Sequence, residues 1–255
     1  MIHLCISTLI LTVVMGQKST DMDKLLNWCL DAKLHKTAPG PENSLHKQCS
    51  PWKDRSCCTE ETAHKVHNDN IYNFNYNHCR NMSKKCNEHF LQDHCFYECS
   101  PNVGPWVVSE TRTWRKERFY KVPLCASDCD AWFNDCAEDF TCTDNWSRNF
   151  DWLNDTGCSS KCLTNFCPKG SECMTFRKIY GNASNFCEKV WDHAWQYTKD
   201  SEPCMRLWFN GSVGNPNDAV ARHHAHLIAG ASTKHLDYLL FGFLLMILWR
   251  TICVF

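Results

Sequence analysis

Residues 86–106 read CNEHFLQDHCFYECSPNVGPW, a stretch with three cysteines, four aromatic residues and one aspartate, Asp93. If residues 86–98 are helical, Cys86, Phe90, Asp93 and Tyr97 lie on one face, because they follow the i, i+4, i+7, i+11 spacing. A carboxylate on an aromatic face is costly to remove from water unless it is hydrogen-bonded or paired. Its partner is then either a helix cap or an arginine of the same chain, or a ligand with two adjacent N–H donors, which a carboxylate binds as it binds a guanidinium.

The chain has 20 cysteines in 255 residues, close to the level typical of a disulfide scaffold. Removal of both chain ends would discard Cys5 and Cys253 and leave 18 cysteines, enough for nine disulfides in a secreted protein. The adjacent Cys57 and Cys58 are expected to join different partners. No CxxC pair has the histidine spacing of a zinc site, so we expect no metal.

Charge and motifs exclude several classes of function. With 27 Lys and Arg against 28 Asp and Glu, no large field of one sign predicts a nucleic-acid partner. No nucleophile lies in a recognisable pattern with a general base, so the sequence predicts neither an enzyme nor a bound cofactor.

Both ends of the chain resemble processing signals. Residues 1–16 have the short apolar core of a secretory signal peptide and are too few to span a bilayer. At the other end, small residues at 229–233 and a short polar spacer precede an apolar run at 239–249, as in a glycosylphosphatidylinositol (GPI) signal. The alternative for this end is a single-pass anchor. We therefore predict one mature domain over 17–231, a GPI propeptide over 232–255, and attachment at Gly230, Ala231 or Ser232.

Several segments have helical spacing of apolar residues. Residues 20–34 begin with Thr20 as a cap, residues 126–140 have Ser127 as a cap, and residues 184–197 place Cys187, Trp191 and Trp195 on one face. Turn-rich segments separate them. The sequence predicts an α+β fold: a disulfide-rich single globular domain of several helices and short strands. Sequons predict glycosylation at Asn81, Asn154, Asn182 and Asn210.

The chain resembles the folate receptors and the related riboflavin-binding proteins. The shared segments include IYNFNYNHC, HFLQDHCFYECSPNVGPW, TWRKERFYKVPLC, CDAWFNDC and CMRLWFNGSVGNPNDAVAR, and the resemblance covers about residues 24–225. It implies the family's fold, in which helices and short strands surround one deep pocket.

The resemblance also implies a binding site for folate. The residue matching the family's buried, pterin-holding aspartate is Asp93, with Tyr72 and Trp191 as the stacking pair and Arg115 and Arg118 as further pterin contacts. The residues that would line the slot toward the mouth are Phe74, Trp114, Trp146 and Trp152. If residues 114–118 were helical, Trp114 and Arg118 would share a face.

Three departures from the family pattern affect the pocket. At 145–150 the chain has NWSRNF where the family has a loop that handles the glutamate tail, and Arg148 replaces the lysine that would bind a tail carboxylate. Ala194 and Trp195 replace a serine and a tyrosine near the pterin. Cys158 and Cys162 lie in an insertion and would form one extra bridge, to each other or by exchanged pairing. Because Asn145 precedes Trp146, we expect the sequon at Asn145 to be unmodified or its glycan to point away.

The resemblance implies a GPI-anchored receptor at the extracellular face of the cell membrane that binds folate and reduced folates and delivers them into endocytic vesicles, with a shed or secreted form as a variant. One alternative is a soluble riboflavin carrier. Another is an adhesion protein like the family's egg-surface sperm receptor, with a protein partner and no vitamin. Histidines beside the presumed pocket segments raise the hypothesis of weaker binding in acid: His64, His67, His78, His89 and His94.

Overall fold

The computed structural model describes residues 21–112, 115–154 and 163–230. Helices α1 to α6 span Met22–Leu26, Glu60–Asn68, Lys84–Cys99, Ala126–Cys136, Phe176–Tyr180 and Ala183–Val190. Residues 217–230 are also helical, and 3₁₀ turns cover Lys47–Trp52, Gly104–Trp106 and Gly211–Val213. Strands β1 to β8 span Val107–Arg112, Arg115–Phe119, Val122–Cys125, Phe140–Thr141, Asp151–Asn154, Leu163–Phe166, Met174–Thr175 and Trp195–Thr198.

The strands form four two-stranded sheets in the described part of the chain. Three are antiparallel (β1 with β2, β4 with β7, β5 with β6), and β3 pairs with β8 in parallel. With the helices, they make the α+β, disulfide-rich fold that the sequence predicts.

Helix α3 confirms the helix predicted from residues 86–98. Ser83 caps it, since its hydroxyl accepts a hydrogen bond from the Cys86 N–H at 3.3 Å. Asp139 in turn holds Ser83 through two bonds of 2.7 Å. The start of the helix is therefore stabilised both by a local cap, Ser83, and by a carboxylate distant in sequence, Asp139.

Eight disulfides join the described cysteines, and Cys158 and Cys162 lie outside the described residues. As predicted, the adjacent Cys57 and Cys58 take different partners, Cys29 and Cys99. The other pairs are Cys49–Cys95, Cys79–Cys173, Cys86–Cys136, Cys125–Cys204, Cys129–Cys187 and Cys142–Cys167.

The helix predicted over residues 20–34 is wrong beyond its first turns. α1 ends at Leu26, and Asp21 is its cap, accepting from the Asp23 N–H at 3.0 Å. Beyond it, backbone bridges join Trp28 to Asn102 and Ala32 to Arg115. These pairings compete with helical hydrogen bonds for the same backbone groups, so the chain leaves the helix.

The helix predicted over 126–140 exists as α4 but is shorter and capped differently. Ser127 lies inside the first turn rather than at the cap, and its N–H donates to Asp200 Oδ1 at 3.0 Å. The acid that satisfies this helix start therefore comes from a distant loop.

The helix predicted over 184–197 is wrong in its second half. α6 ends at Val190, Asp192 and His193 have left-handed φ of 55° and 59°, and Trp195 begins β8. Parallel pairing of β8 with β3 takes the backbone groups that a longer helix would need. Trp191 and Trp195 therefore do not share a helix face.

The segment carrying the predicted arginines is also a strand. Arg115 and Arg118 belong to β2, so the expectation of a helix over 114–118 is wrong; Trp114 itself lies outside the described residues. β1 pairs with β2 in register Val108 to Arg118 and Arg112 to Arg115, which places three arginines on one hairpin.

Three of the predicted glycosylation asparagines, Asn81, Asn182 and Asn210, are exposed, while the side chain of Asn154 is outside the described set. Gly230 is exposed at the end of the described helix, and Ala231, Ser232, the signal peptide and the propeptide lie outside it. Over the described ranges, no helix combines the length and the apolarity that crossing a membrane requires. Modification and anchoring stay predictions.

The Pro-Asn-Val-Gly-Pro turn after α3 allows a close approach of two chain segments. A Cβ added at Gly104 would lie 2.2 Å from the Leu25 carbonyl oxygen, a backbone atom of α1. We expect Gly104→Ala to reduce the free energy of unfolding by about 1–3 kcal/mol, because backbone must shift to relieve the overlap.

Urea unfolding with the disulfides intact measures this loss. Gly40→Ala is the matched control, since its added Cβ would meet only the flexible end of Lys36 at 3.5 Å. Equal stability of the two variants would contradict the prediction.

Candidate functional site

A cavity opens between α3, the β1–β2 hairpin, the 145–152 segment and the turn after α6. Its lining is aromatic and basic around one acid: Tyr72, Phe74, Tyr76, Asp93, His94, Tyr97, Arg112, Arg115, Arg118, Phe119, Trp146, Ser147, Trp152, Trp191 and Ala194. An apolar pocket with a few convergent polar groups is the usual form of a small-molecule site.

Asp93 is the acid of this cavity, and α3 presents it from its middle turns. Its side chain is buried, with 6% of the residue exposed, and Oδ1 accepts a hydrogen bond of 2.9 Å from the Trp195 indole N–H. The Trp191 indole also lies near the carboxylate and lowers its pKa, although Trp191 Nε1 makes no hydrogen bond of good geometry within the described residues. Burial raises the pKa of Asp93 to about 7, and the bond from Trp195 and the neighbouring His94 oppose this only in part.

Aromatic rings form one wall of the cavity. The Phe74 ring lies 5.6 Å from that of Trp146, 5.8 Å from that of Trp191 and 6.1 Å from that of Trp152. Trp146 is fixed from behind, because it stacks on Phe90 at 4.8 Å and 6° and donates from Nε1 to a threonine hydroxyl. These rings offer a flat ligand preformed faces and edges at little cost in side-chain entropy.

Tyr72 reaches the cavity from the 71–74 turn and is held by a fully buried carboxylate. Its hydroxyl donates to Glu98 Oε1, and Glu98 also lies 3.6 Å from both His35 and His94. Burial alone would raise the pKa of Glu98, but His94, His35 and Tyr72 together lower it. Glu98 thus orients the Tyr72 ring through Oε1, its Oε2 makes no hydrogen bond within the described residues, and its pKa is lowered where that of Asp93 is raised.

Arg115 and Arg118 line the cavity from β2, held by acids. Arg118 Nη1 donates to the Asp192 carbonyl at 2.8 Å, and Arg118 Nη2 pairs with the Asp192 carboxylate at 3.3 Å. Arg115 Nη2 lies 3.5 Å from Glu110 Oε2. Both guanidinium groups are therefore positioned before a ligand arrives.

Arg148 is not among the lining residues but lies beside them. Its Nε is 2.8 Å from Asp192 Oδ2 and its Nη2 is 3.3 Å from Glu110 Oε2. The 145–150 loop is held by Asn145, whose Oδ1 accepts from two backbone N–H groups and whose Nδ2 donates to Asp192 at 3.0 Å. A glycan would replace one of the two hydrogens on this nitrogen; that Asn145 is unmodified, or that its glycan points away, stays a prediction.

The structure brings eight of the ten predicted ligand-binding residues to one cavity. Arg148 lies just outside it and Trp114 outside the described residues. Seven lining residues were not predicted as ligand-binding: Tyr76, His94, Tyr97, Arg112, Phe119, Ser147 and Ala194. Because Tyr97 lies on the same helix face as Asp93, the helical spacing could have identified it as a lining residue. Nothing in the neighbouring sequence indicates that Glu110 and Asp192 would pair with the arginines of the cavity. Of the five histidines in the acid-release hypothesis, His94 alone lines the cavity.

Possible metal ligands occur in the described residues only as groups that include disulfide-bonded cysteines, such as His78 with Cys79 and Cys142. A cysteine in a disulfide offers no thiolate, so these groups do not make a zinc site.

The raised pKa of Asp93 predicts a gain in stability when its charge is removed. A folded pKa of about 7 against 3.8 unfolded means that ionisation destabilises the folded protein as the pH rises through that window. We expect Asp93→Asn to raise the free energy of unfolding by about 1–3 kcal/mol at pH 7.4 and to have little effect at pH 4.

Thermal unfolding of the ligand-free protein at both pH values measures this gain. Asp54→Asn is the control, because Asp54 is exposed and its loss changes the net charge equally. A loss of stability at pH 7.4 would show that Asp93 is held by partners within the chain.

Comparison with known proteins identifies the family of the chain. The sequence matches the model of the folate receptor family over residues 28–206, a range that includes every lining residue. Folate receptor gamma of Homo sapiens is 43% identical over 216 residues, which cover 82% of this chain and 85% of the relative. Folate receptor alpha of Homo sapiens is 38% identical over 250 residues, or 94% of each chain.

A second group of relatives is more distant. Riboflavin-binding protein of Gallus gallus is 30% identical over 202 residues, which cover 77% of this chain and 75% of the relative. The family model and the identity to the receptors each extend over most of the chain. The chain belongs to the folate receptor family.

Proposed function

We propose that the protein is a receptor that binds folates in the cavity beside α3. The observation that carries the proposal is Asp93: a buried, incompletely satisfied carboxylate at an aromatic wall. A pterin offers two adjacent N–H donors on a flat ring, which match the carboxylate and the ring faces respectively. The resemblance to folate receptors at 38–43% identity supports the same ligand.

In this proposal the remaining cavity residues divide between the parts of the ligand. Tyr72 and Trp191 stack on the pterin, and Arg115 and Arg118 add cationic contacts to its edge. Phe74, Trp114, Trp146 and Trp152 surround the aminobenzoate. Arg148 binds a tail carboxylate. All of these roles are non-covalent contacts with the ligand, so the protein is proposed to be a binding protein rather than an enzyme.

The observation that favours folate over riboflavin is the presence of both an acid and arginines in one cavity. Aromatic side chains can stack on the isoalloxazine ring of riboflavin as well as on a pterin, so they do not discriminate. Riboflavin has no carboxylate that could bind Arg148. The adhesion alternative would keep the cost of the buried Asp93 carboxylate without a ligand that uses it.

We propose an extracellular location. Eight disulfides form and persist in oxidising compartments, which supports secretion. The terminal segments extend the proposal to GPI anchoring, glycosylation at the four sequons and delivery of folate by endocytosis.

Loss of the Asp93 charge tests the proposal directly. We expect Asp93→Asn to weaken folic acid binding by about 30- to 1000-fold, because the amide loses a charge-assisted acceptor and turns a donor toward the ligand's donors. Isothermal titration calorimetry with folic acid, 5-methyltetrahydrofolate and riboflavin measures the loss.

The same variant is expected to be more stable than the wild type, so weaker binding could not be attributed to misfolding. Asp54→Asn is again the control, with unchanged affinity. Tighter binding of riboflavin than of either folate, or an unchanged folate affinity in Asp93→Asn, would refute the proposal.

Binding is also expected to depend on pH through Asp93 rather than through the histidines. With a free-state pKa of about 7, the binding-competent carboxylate is lost as the pH falls. Affinity should fall by about 20-fold between pH 7.4 and 5.5 if the complex holds no proton on Asp93. Burial lowers the pKa values of His67 and His78, which keeps them neutral over much of this range.

Calorimetric titrations with folic acid at five pH values measure how the affinity changes with pH. Asp93→Asn should show little pH dependence, because the titrating group is gone. If that variant kept the wild-type slope, His94 or the ligand would be responsible instead.

A further inference from the structure

Residues 191–194 form the turn between α6 and β8, and tryptophans at its two ends lie near the acid of the cavity. Trp191 begins the turn and lines the cavity, and Trp195 follows the turn and donates from its indole N–H to Asp93 Oδ1 at 2.9 Å. The Trp191 indole lies near the same carboxylate and lowers its pKa. We call residues 191–194 the Asp192 turn; its conformation sets where both indoles meet Asp93.

The Asp192 turn has an unusual backbone. Asp192 and His193 are consecutive non-glycine residues with left-handed φ of 55° and 59°. In this conformation the Cβ of an L-residue lies too close to the following carbonyl oxygen, so only Gly, Asn and Asp adopt it routinely. The His193 N–H donates to the Glu188 carbonyl at 2.8 Å, and the His193 carbonyl accepts from the Lys121 N–H at 2.7 Å. Backbone hydrogen bonds therefore hold His193 in place.

Asp192 is held in addition by side chains from two other parts of the chain. Its carbonyl accepts from Arg118 Nη1 at 2.8 Å, and its Oδ2 lies 3.3 Å from Arg118 Nη2 and 2.8 Å from Arg148 Nε. Its Oδ1 accepts from Asn145 Nδ2 at 3.0 Å. Burial would raise the pKa of Asp192, but the bonds from Arg148 and Asn145 and the charge of Arg118 lower it. Asp192 is therefore an ionised residue that joins the turn to β2 and to the 145–150 loop.

Arg118 in turn depends on Asp192 for its orientation. Arg118 lines the cavity, and both of its Nη atoms contact Asp192. Asp192 itself is not among the lining residues. A residue outside the cavity thus orients a guanidinium group of the cavity wall and, through the backbone, the two indoles beside Asp93.

We propose that Asp192 is a positioning residue for the head of the ligand, which it orients through Arg118 and Trp191 without touching it. The inference rests on the proposed function, because it takes the pterin to lie at Asp93 and to stack on Trp191. The acceptor atoms of Asp192 and its tolerance of a left-handed backbone keep the turn in the conformation that binds. If the turn adopts that conformation only part of the time, the affinity falls in the same proportion.

Two substitutions that remove the same charge test this. Asp192→Ala removes the side-chain acceptors and places a residue without local hydrogen bonds in the left-handed region, so affinity for folic acid should fall about 10- to 100-fold. Asp192→Asn keeps one acceptor oxygen and tolerates that region, so its affinity should stay within about fivefold of the wild type. Isothermal titration calorimetry measures both. Equal losses in the two variants would show that charge rather than position matters and would overturn the inference.

Pteroic acid, which lacks the glutamate tail, separates the head from the tail. Because the turn acts on the head, Asp192→Ala should weaken pteroic acid and folic acid by a similar factor. The circular dichroism band of the bound pterin should also weaken at saturation, since the fixed position of the pterin against Trp191 generates it. A loss confined to folic acid would show that Asp192 acts through Arg148 on the tail, and an unchanged band would show a purely structural role; either result contradicts the inference.

His193→Asn is the matched control, because His193 has the same left-handed conformation and an exposed side chain. Its affinity for both ligands should equal that of the wild type. Near-ultraviolet circular dichroism of the ligand-free variants checks the fold. If Asp192→Ala does not fold, Asp192→Gly replaces it, since glycine adopts the left-handed region freely but lacks the acceptors, and folic acid affinity should fall about three- to tenfold.

The wild type separates the two proposals. If it binds folic acid and Asp192→Ala binds equally well, the positioning role of Asp192 is wrong and the proposed function stands. If the wild type binds neither folic acid nor pteroic acid, the proposed function itself fails.

Discussion

Three disulfides on helix α3 constrain the whole site. Cys86 ties the helix to α4, Cys95 to the 3₁₀ turn at Lys47–Trp52, and Cys99 to Cys58 ahead of α2. Each such bridge stabilises a small domain by about 2–4 kcal/mol, mainly by restricting the unfolded chain. A helix held on several sides can therefore carry buried acids that an ordinary amphipathic helix would not tolerate.

The two buried acids of α3, Glu98 and Asp93, have opposite pKa shifts. Glu98 is completely buried, yet Tyr72, His35 and His94 surround it and its pKa is lowered. Asp93, a little over one turn earlier, accepts a hydrogen bond from Trp195 and lies near His94 and Trp191, yet burial raises its pKa. Glu98 holds the Tyr72 ring in place, whereas the charge of Asp93 costs folding stability, and such local conflicts with the rules of folding are expected at functional sites.

The spacing of residue types along the chain predicted correctly those elements whose structure depends on residues close in sequence. The spacing of Cys86, Phe90, Asp93 and Tyr97 predicted α3, and the adjacency of Cys57 and Cys58 predicted separate partners. The same reasoning failed in the second half of 184–197 and in the described part of 114–118, where helical spacing is present but the backbone pairs as strands. β8 pairs with the distant strand β3, and β2 pairs with the adjacent strand β1 in a hairpin; in both cases the pairing strand, rather than the spacing of apolar residues, decides the backbone conformation.

The sequence by itself determined the disulfide-rich class, helix α3 and, through its resemblance to a family, the acid and rings that the cavity brings together. Only the tertiary structure decided that Trp195, 102 residues from Asp93, donates to it, and that Glu110 and Asp192 share Arg118 and Arg148. The physical reason is the distance in sequence over which each interaction acts. Caps and helical faces depend on residues within a turn or two, whereas the charge and hydration of a buried group depend on whichever segments the fold packs around it.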